Sequence, residues 1–236
     1  MKNENFGVQY SDDGKVLLLF PGDKLGEYII PDGVEKISSY SFSSECRFIS
    51  KLILSDTILC IDHRAFDGCK IGELYISKSV KYIESGAFGN SEIGTFIIDD
   101  ENPNYRLYNG NNIVSADNGK LIKWDSNSII PREVKQIGTF SISVFRSSKP
   151  NILIIPEGVE RLCAVCITPY INSNLELRLP STIKRIEYQE WTDDCDCMTK
   201  IVVPKGQKKR FSRMKNLQYV KHIIVDGKRN SKLEFM

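Results

Sequence analysis

Four cysteines, Cys163-x-x-Cys166 and Cys195-x-Cys197, have the ingredients of a four-thiolate zinc site, since tetrahedral zinc favours thiolate ligands. The acidic run Asp193-Asp194-Cys195-Asp196 offers carboxylates to a hard cation but lacks the ligand spacing of a calcium loop. His63 and His222 are the only histidines, so any nucleophile–His pair must recruit one of them as its base. Lys205, Lys208, Lys209, Arg210, Arg213 and Lys215 place six cations within eleven residues, a density that can contact phosphates. No glycine-rich phosphate loop or aromatic-laced RNA-binding sheet accompanies them. Whether these groups do chemistry depends on the elements that carry them.

Those elements form a repeat. A strand-like pattern ends in an apolar residue at Ile30, Leu54, Ile76, Ile98, Ile130, Ile155, Leu179 and Val203, in steps of 24, 22, 22, 32, 25, 24 and 24. Four residues on comes Val34, Ile58, Val80, Val134, Val159 or Ile183, and three further Ile37, Ile61, Ile83, Ile137, Leu162 or Ile186. These offsets predict two core ladders in a stack of similar coils. A small residue then precedes a bulky one, at Ser41-Phe42, Ala65-Phe66, Ala87-Phe88, Ser141-Ile142 and Cys166-Ile167, with Glu190-Trp191 as a departure. The small residue permits a tight corner while the bulky one fills the coil. Pro31, Pro131, Pro156, Pro180 and Pro204 stand just past the strand, where a missing N–H removes no ladder bond.

The repeat decides most of the chemistry. Cys166 takes the small interior position and Cys163 a variable one, so core packing outweighs zinc. Cys46 and Cys69 follow the bulky residue and read as structural, while His63 and His222 read as surface residues. The basic cluster reads as the wet face of a short helix whose dry face is Phe211, Met214 and Leu217, followed by an apolar strand, Tyr219 to Val225. No catalytic residue, metal ligand or cofactor is assigned, and an enzyme is not expected.

The unit apolar-x-apolar-Pro-x-x-Val-x-x-Ile-x-x-x-Ala-Phe-x-x-Cys, fullest in Leu52 to Cys69 and Leu74 to Phe88, resembles the BspA-like leucine-rich repeats, also called the Treponema pallidum type. The resemblance covers roughly Tyr28 to Lys209. It implies a bacterial, adhesion-associated or protein-binding repeat protein, often exported. The expected fold is a β-rich solenoid, a right-handed leucine-rich-repeat-like superhelix of about seven to eight coils. Residues 1–27 form an N-terminal β-hairpin cap, 28–204 the solenoid, and 205–236 the C-terminal cap. The long step suggests a hairpin excursion near 99–128, standing clear of the stack.

Composition narrows the partners. Thirty-two Lys and Arg against 30 Asp and Glu give +2 overall and no global field toward nucleic acid or an anionic membrane. No stretch reaches the ~20 apolar residues of a membrane span. The N-terminal residues lack the apolar run of a secretory leader, so the chain as written reads as cytoplasmic, or as secreted or surface-bound if a leader was removed.

Strand alternation supplies the candidate site. If the repeating apolar residues point inward, the residue before each points outward. Those are Ile29, Ile53, Tyr75, Ile97, Ile129, Ile154, Arg178 and Val202, an almost continuous apolar stripe, with Glu27, Lys51, Glu73, Glu176 and Lys200 as a charged rim. An apolar strip rimmed by charge is the pattern of a protein interface. A bland alternative stands beside it, since β-branched residues simply suit a pleated surface. The expected partner is another protein, with self-association as one form. Nucleic-acid or anionic-polymer binding through the basic C-terminal cap, or a cysteine-ligated zinc module, are the alternatives.

Overall fold

The computed structural model describes residues 7–21, 26–42, 48–84, 86–124, 128–138, 142–144, 151–163, 167–169, 175–187, 198–214, 217 and 224–227. Cys46, Cys166, Cys195, Cys197, Asp193, Asp194, Asp196, His222, Lys215, Ser141, Glu190 and Trp191 lie outside these residues. The fold is a β-solenoid of about seven turns, and almost all of its regular structure is strand. Two compact units divide it, residues 1–117 and 118–236.

The first unit contains β1 (Gln9–Tyr10), β2 (Val16–Leu19), β3 (Glu27–Ile29), β4 (Lys36–Ile37), β5 (Ile49–Ile53), β6 (Cys60–Ile61), β7 (Lys70–Ile76), β8 (Tyr82–Ile83), β9 (Glu92–Ile98), β10 (Tyr105–Tyr108) and β11 (Asn112–Ser115). One parallel sheet runs β3-β5-β7-β9 and another runs β2-β4-β6-β8, with β1 antiparallel to β2. Parallel strands need a long crossover, and here each coil is that crossover. Ile29 pairs with Ile53, Ile53 with Tyr75 and Tyr75 with Ile97, so the register offsets are the sequence steps themselves.

Inside this unit Phe20, Phe42, Phe66 and Phe88 stack in one file, with successive ring centroids 4.8, 4.7 and 5.5 Å apart. Tyr28 and Phe96 close the file edge-on at 5.0 and 5.1 Å. All four stacked rings are fully buried. Such pairs contribute roughly 0.5–1.5 kcal/mol each beyond simple burial. The small-residue corner beside them holds Ala65, Ala87 and Ser41, and the buried Ser41 hydroxyl has no hydrogen-bond partner among the described residues. Ser41→Ala is therefore expected to stabilise the protein by about 1 kcal/mol, because an orphaned buried hydroxyl is removed. A lower thermal midpoint than wild type would contradict this.

A file of polar side chains also joins the coils. Thr57 Oγ1 donates to Val34 O at 2.8 Å and accepts from Gly33 N–H at 3.0 Å. Ser77 Oγ donates to Ser55 O and Ser79 Oγ to Ile58 O, at 3.0 and 2.9 Å. Gly33 has φ +96°, so its turn takes a left-handed residue at the position where glycine alone adopts it without strain. The proline turn and its serine equivalent are closed by the same hydrogen bond, Val34 N–H donating to Pro31 O and Ile58 N–H to Ser55 O, although Thr57, in the place of Gly33, has no positive φ.

Two expectations need correction. The long step was expected to stand clear of the stack, but residues 102–116 are built into it. Tyr105, Ile113 and Val114 are buried in an antiparallel β10–β11 hairpin. Asn102, also buried, donates from Nδ2 to Ser77 O at 2.8 Å and accepts from Asn104 and Tyr105 N–H at 2.8 and 3.0 Å. The Tyr105 hydroxyl accepts from Ile83 N–H at 2.7 Å and donates to Lys81 O at 3.3 Å. Ile98, expected in the core, is only half-buried. At its strand the Asn111 amide, rather than another strand, meets the outer edge: Oδ1 accepts from Phe96 N–H at 2.9 Å and Nδ2 donates to Gly94 O at 2.7 Å. An edge satisfied by a side chain is blunted against further pairing.

The second unit contains β12 (Lys120–Lys123), β13 (Gln136–Ile137), β14 (Ile142–Val144), β15 (Asn151–Ile154), β16 (Arg161–Leu162), β17 (Ile167–Pro169), β18 (Leu175–Arg178), β19 (Arg185–Ile186), β20 (Met198–Val203), α1 (Lys208–Phe211) and β21 (Ile224–Asp226). Parallel sheets run β12-β13-β16-β19, β14-β17 and β15-β18-β20-β21. Its core holds Ile130, Val134, Ile137, Ile155, Val159, Leu162, Leu179, Ile183 and Val203, as the repeat offsets require. Thr182 repeats the hydroxyl bridge, donating to Val159 O at 2.8 Å and accepting from Gly158 N–H at 3.0 Å. The expected helix is only four residues long, yet Phe211 and Leu217 are buried and Met214 half-buried.

Candidate functional site

In the first unit the predicted outward residues share one lane. Ile29, Ile53, Tyr75 and Ile97 pair in succession across β3, β5, β7 and β9, while Leu52, Leu74 and Phe96 point into the core. Ile29 and Ile97, at the two ends, are 49% and 38% exposed. Ile53 and Tyr75, between them, are half-buried by their lane neighbours.

The lane beside it, two residues earlier, holds Glu27, Lys51, Glu73 and Thr95. Lys51 Nζ lies 2.7 Å from Glu73 Oε1, and that carboxylate raises the lysine above its ordinary value. On the corner past the strands stand Asp32, Asp56, Lys78, Asp99, Asp100 and Glu101, with Lys78 Nζ 2.6 Å from Glu101 Oε2. The Tyr75 hydroxyl donates to Asp99 Oδ2 at 2.5 Å. That bond, with partial desolvation and the Asp99 charge, pushes the phenol up to about 12 and holds the Asp99 carboxyl below its usual range. The tyrosine is thereby fixed as a neutral, oriented ring with one polar edge. Spacing could not show this tether, because Asp99 belongs to the next coil.

In the second unit the lane is Ile154, Arg178, Val202 and Val225. Ile154 is 37% exposed and Val202 half-buried. Arg178 interrupts the apolar run. Its Nε lies 2.8 Å from Glu176 Oε1, and Lys200 Nζ lies 3.0 Å from Glu176 Oε2. Burial would raise Glu176, but these two cations more than offset it and hold the carboxyl below its ordinary range. Ile129 is 73% exposed and belongs to no strand, so it stands outside the lane.

The alternative sites fare differently. Arg210 is taken up by the fold: its guanidinium donates to Ser181 O at 2.9 Å and to Ile183 O, and lies 4.9 Å from the Phe211 ring centre. Lys205, Lys208, Lys209 and Arg213 remain exposed. Cys163 is a half-buried free thiol raised mainly by desolvation, and Cys69 is buried in the core. Among the described residues, no three His, Cys, Asp or Glu side chains converge as a metal site. No described helix is long and apolar enough to cross a membrane.

The coil offsets, the in-register lanes and the phenylalanine file point to one repeat family, and the family model described as BspA type Leucine rich repeat region matches residues 19–115 in six copies. This segment, less than half of the chain, is similar to that repeat region. No curated protein matches the chain. Among solved structures, the pneumococcal vaccine antigen PcpA is 22% identical with a TM-score of 0.58, over 76% of this chain and 51% of that one. A leucine rich cell surface protein from Faecalibacterium prausnitzii is 16% identical, TM-score 0.48, over 75% and 62%. A leucine-rich repeat protein from Eubacterium ventriosum is 16% identical, TM-score 0.42, over 76% and 66%. The chain spans about half to two thirds of the length of these structures. Its likeness to PcpA is one of fold.

Proposed function

We propose that this chain is a protein-binding module of adhesion type rather than an enzyme, and that its contact surface is the outward lane Ile29, Ile53, Tyr75 and Ile97. One observation carries the reading: four apolar side chains stand in one ladder on the open face of a parallel sheet, flanked by charge on both sides. Ile154 and Val202 are the corresponding positions of the second unit, with Arg178 and Ile129 contributing less. Tyr75 is the anchor, because a tethered aromatic ring loses little freedom on binding and aromatic residues often carry most of an interface's energy. A cell-surface location accords with the similar pneumococcal protein being a vaccine antigen.

Ile97→Lys, at the exposed end, is expected to move stability by about 0.5 kcal/mol, and the half-buried Ile53→Lys and Tyr75→Ala by about 1–2 kcal/mol, well short of a core truncation. Each should weaken capture of the partner protein at least tenfold, read by surface-immobilised binding beside a thermal melt. A melt lowered as far as that of a core variant would mean that the lane is covered within the protein. Undiminished capture by all three would place the binding surface elsewhere.

A further inference from the structure

The overall charge of +2 conceals a segregation. Residues 1–117 carry 11 Lys and Arg against 18 Asp and Glu, a net of −7, whereas residues 118–236 carry 21 against 12, a net of +9. The excess is concentrated around the features already described. Beside the lane of the first unit, Lys51 and Lys78 are held by Glu73 and Glu101. Glu27, Asp32, Asp56 and Asp100 are exposed and have no cation within ion-pair distance among the described residues. A partner for this face must bring apolar contact together with cations. In the second unit Lys205, Lys208, Lys209 and Arg213 are exposed and have no carboxylate within that distance among the described residues. Arg210, the member committed to the fold, anchors the segment that presents them.

We propose that the occupant of the acidic lane is a second copy of this chain, whose basic segment Lys205 to Arg213 docks against Asp32, Asp56 and Asp100 beside Ile53 and Tyr75. This rests on the lane being a contact surface and names its partner. Complementary patches on opposite units make the contact heterologous, so each copy offers one donor and one acceptor face. Electrostatic complementarity of this kind sets register and partner choice and is screened by salt.

The test is sedimentation velocity on the full chain over a dilution series, at about 0.01 M and about 1 M salt, where charges reach ~30 Å and ~3 Å. The wild type should associate with concentration at low salt and return to monomer at high salt. A triple Asp32→Asn, Asp56→Asn, Asp100→Asn variant and a triple Lys205→Gln, Lys208→Gln, Lys209→Gln variant should each be monomeric alone. Mixed, they should form 1:1 dimers and nothing larger, because the first retains an intact basic segment and the second an intact acidic lane. A wild type that stays monomeric at low salt overturns the proposal. So does association that persists in either triple variant alone, or a mixture that stays monomeric. Wild-type monomers that bind heparin through Lys205, Lys208 and Lys209 would make the basic segment a polyanion site instead. The lane as a surface for a foreign protein is tested separately by the Tyr75 variant, so failure of self-association and failure of the binding surface are distinguishable.

Discussion

Phe66→Ala is expected to cost about 3–5 kcal/mol, the range for truncating a buried aromatic side chain in a core that cannot close around the hole. Phe66 is fully buried, with ring neighbours on both sides: Phe42 at 4.7 Å and Phe88 at 5.5 Å. Its backbone N–H donates to Ala87 O and Ala65 O accepts from Phe42 N–H, so the site is pinned to both adjacent coils. Each coil in a stacked repeat is stabilised mainly by its neighbours, so the loss should spread beyond one coil and appear as a lower and broader denaturant transition. A wild-type-like midpoint would show that the aromatic file does not hold the unit together.

Asn102→Ala is expected to cost about 2–4 kcal/mol, which is large for a residue in a segment that reads as a loop. Its buried amide satisfies Ser77 O, Asn104 N–H and Tyr105 N–H at once. Alanine would leave the Asn104 and Tyr105 N–H groups without this acceptor in a place closed to water, at roughly 1–3 kcal/mol for each unsatisfied buried group, reduced by whatever rearrangement admits solvent, while Ser77 O would keep only its bond from Val80 N–H. Asn102→Asp keeps the acceptor but loses the donors, so it should fall between the two in chemical denaturation. An alanine variant as stable as wild type would mean that residues 102–116 can indeed be trimmed.

The contrast between these two residues explains what could be read from the sequence. Phe66 was legible because it recurs: small-then-bulky pairs at a constant offset predict a file of rings, and the 24- and 22-residue steps became the strand registers directly. The outward lane was legible for the same reason, as alternation along a strand fixes the face once one side is assigned. Asn102 was not legible, because its coil departs from the period and a polar Asn-Pro-Asn segment has the composition of a solvated turn. Only the three-dimensional stack shows that Asn102 takes over the carbonyl-bridging role of Ser77 one coil on. Ile129 is exposed, as alternation predicts, but lies in no strand among the described residues, so no ladder partner aligns it with the lane. The charge segregation was in the sequence throughout, hidden by a near-zero sum until the two units gave it a boundary.

The most direct test of the central claim is a photo-crosslinking scan with a diazirine side chain placed singly at Ile29, Ile53, Tyr75 and Ile97, and at Tyr82 as control. Tyr82 is 66% exposed on the first unit's other sheet. With the partner present, the four lane positions are expected to form the same crosslinked species, strongest at Tyr75, and Tyr82 none. Equal crosslinking from Tyr82, or none from the lane, would contradict a contact surface built on this ladder.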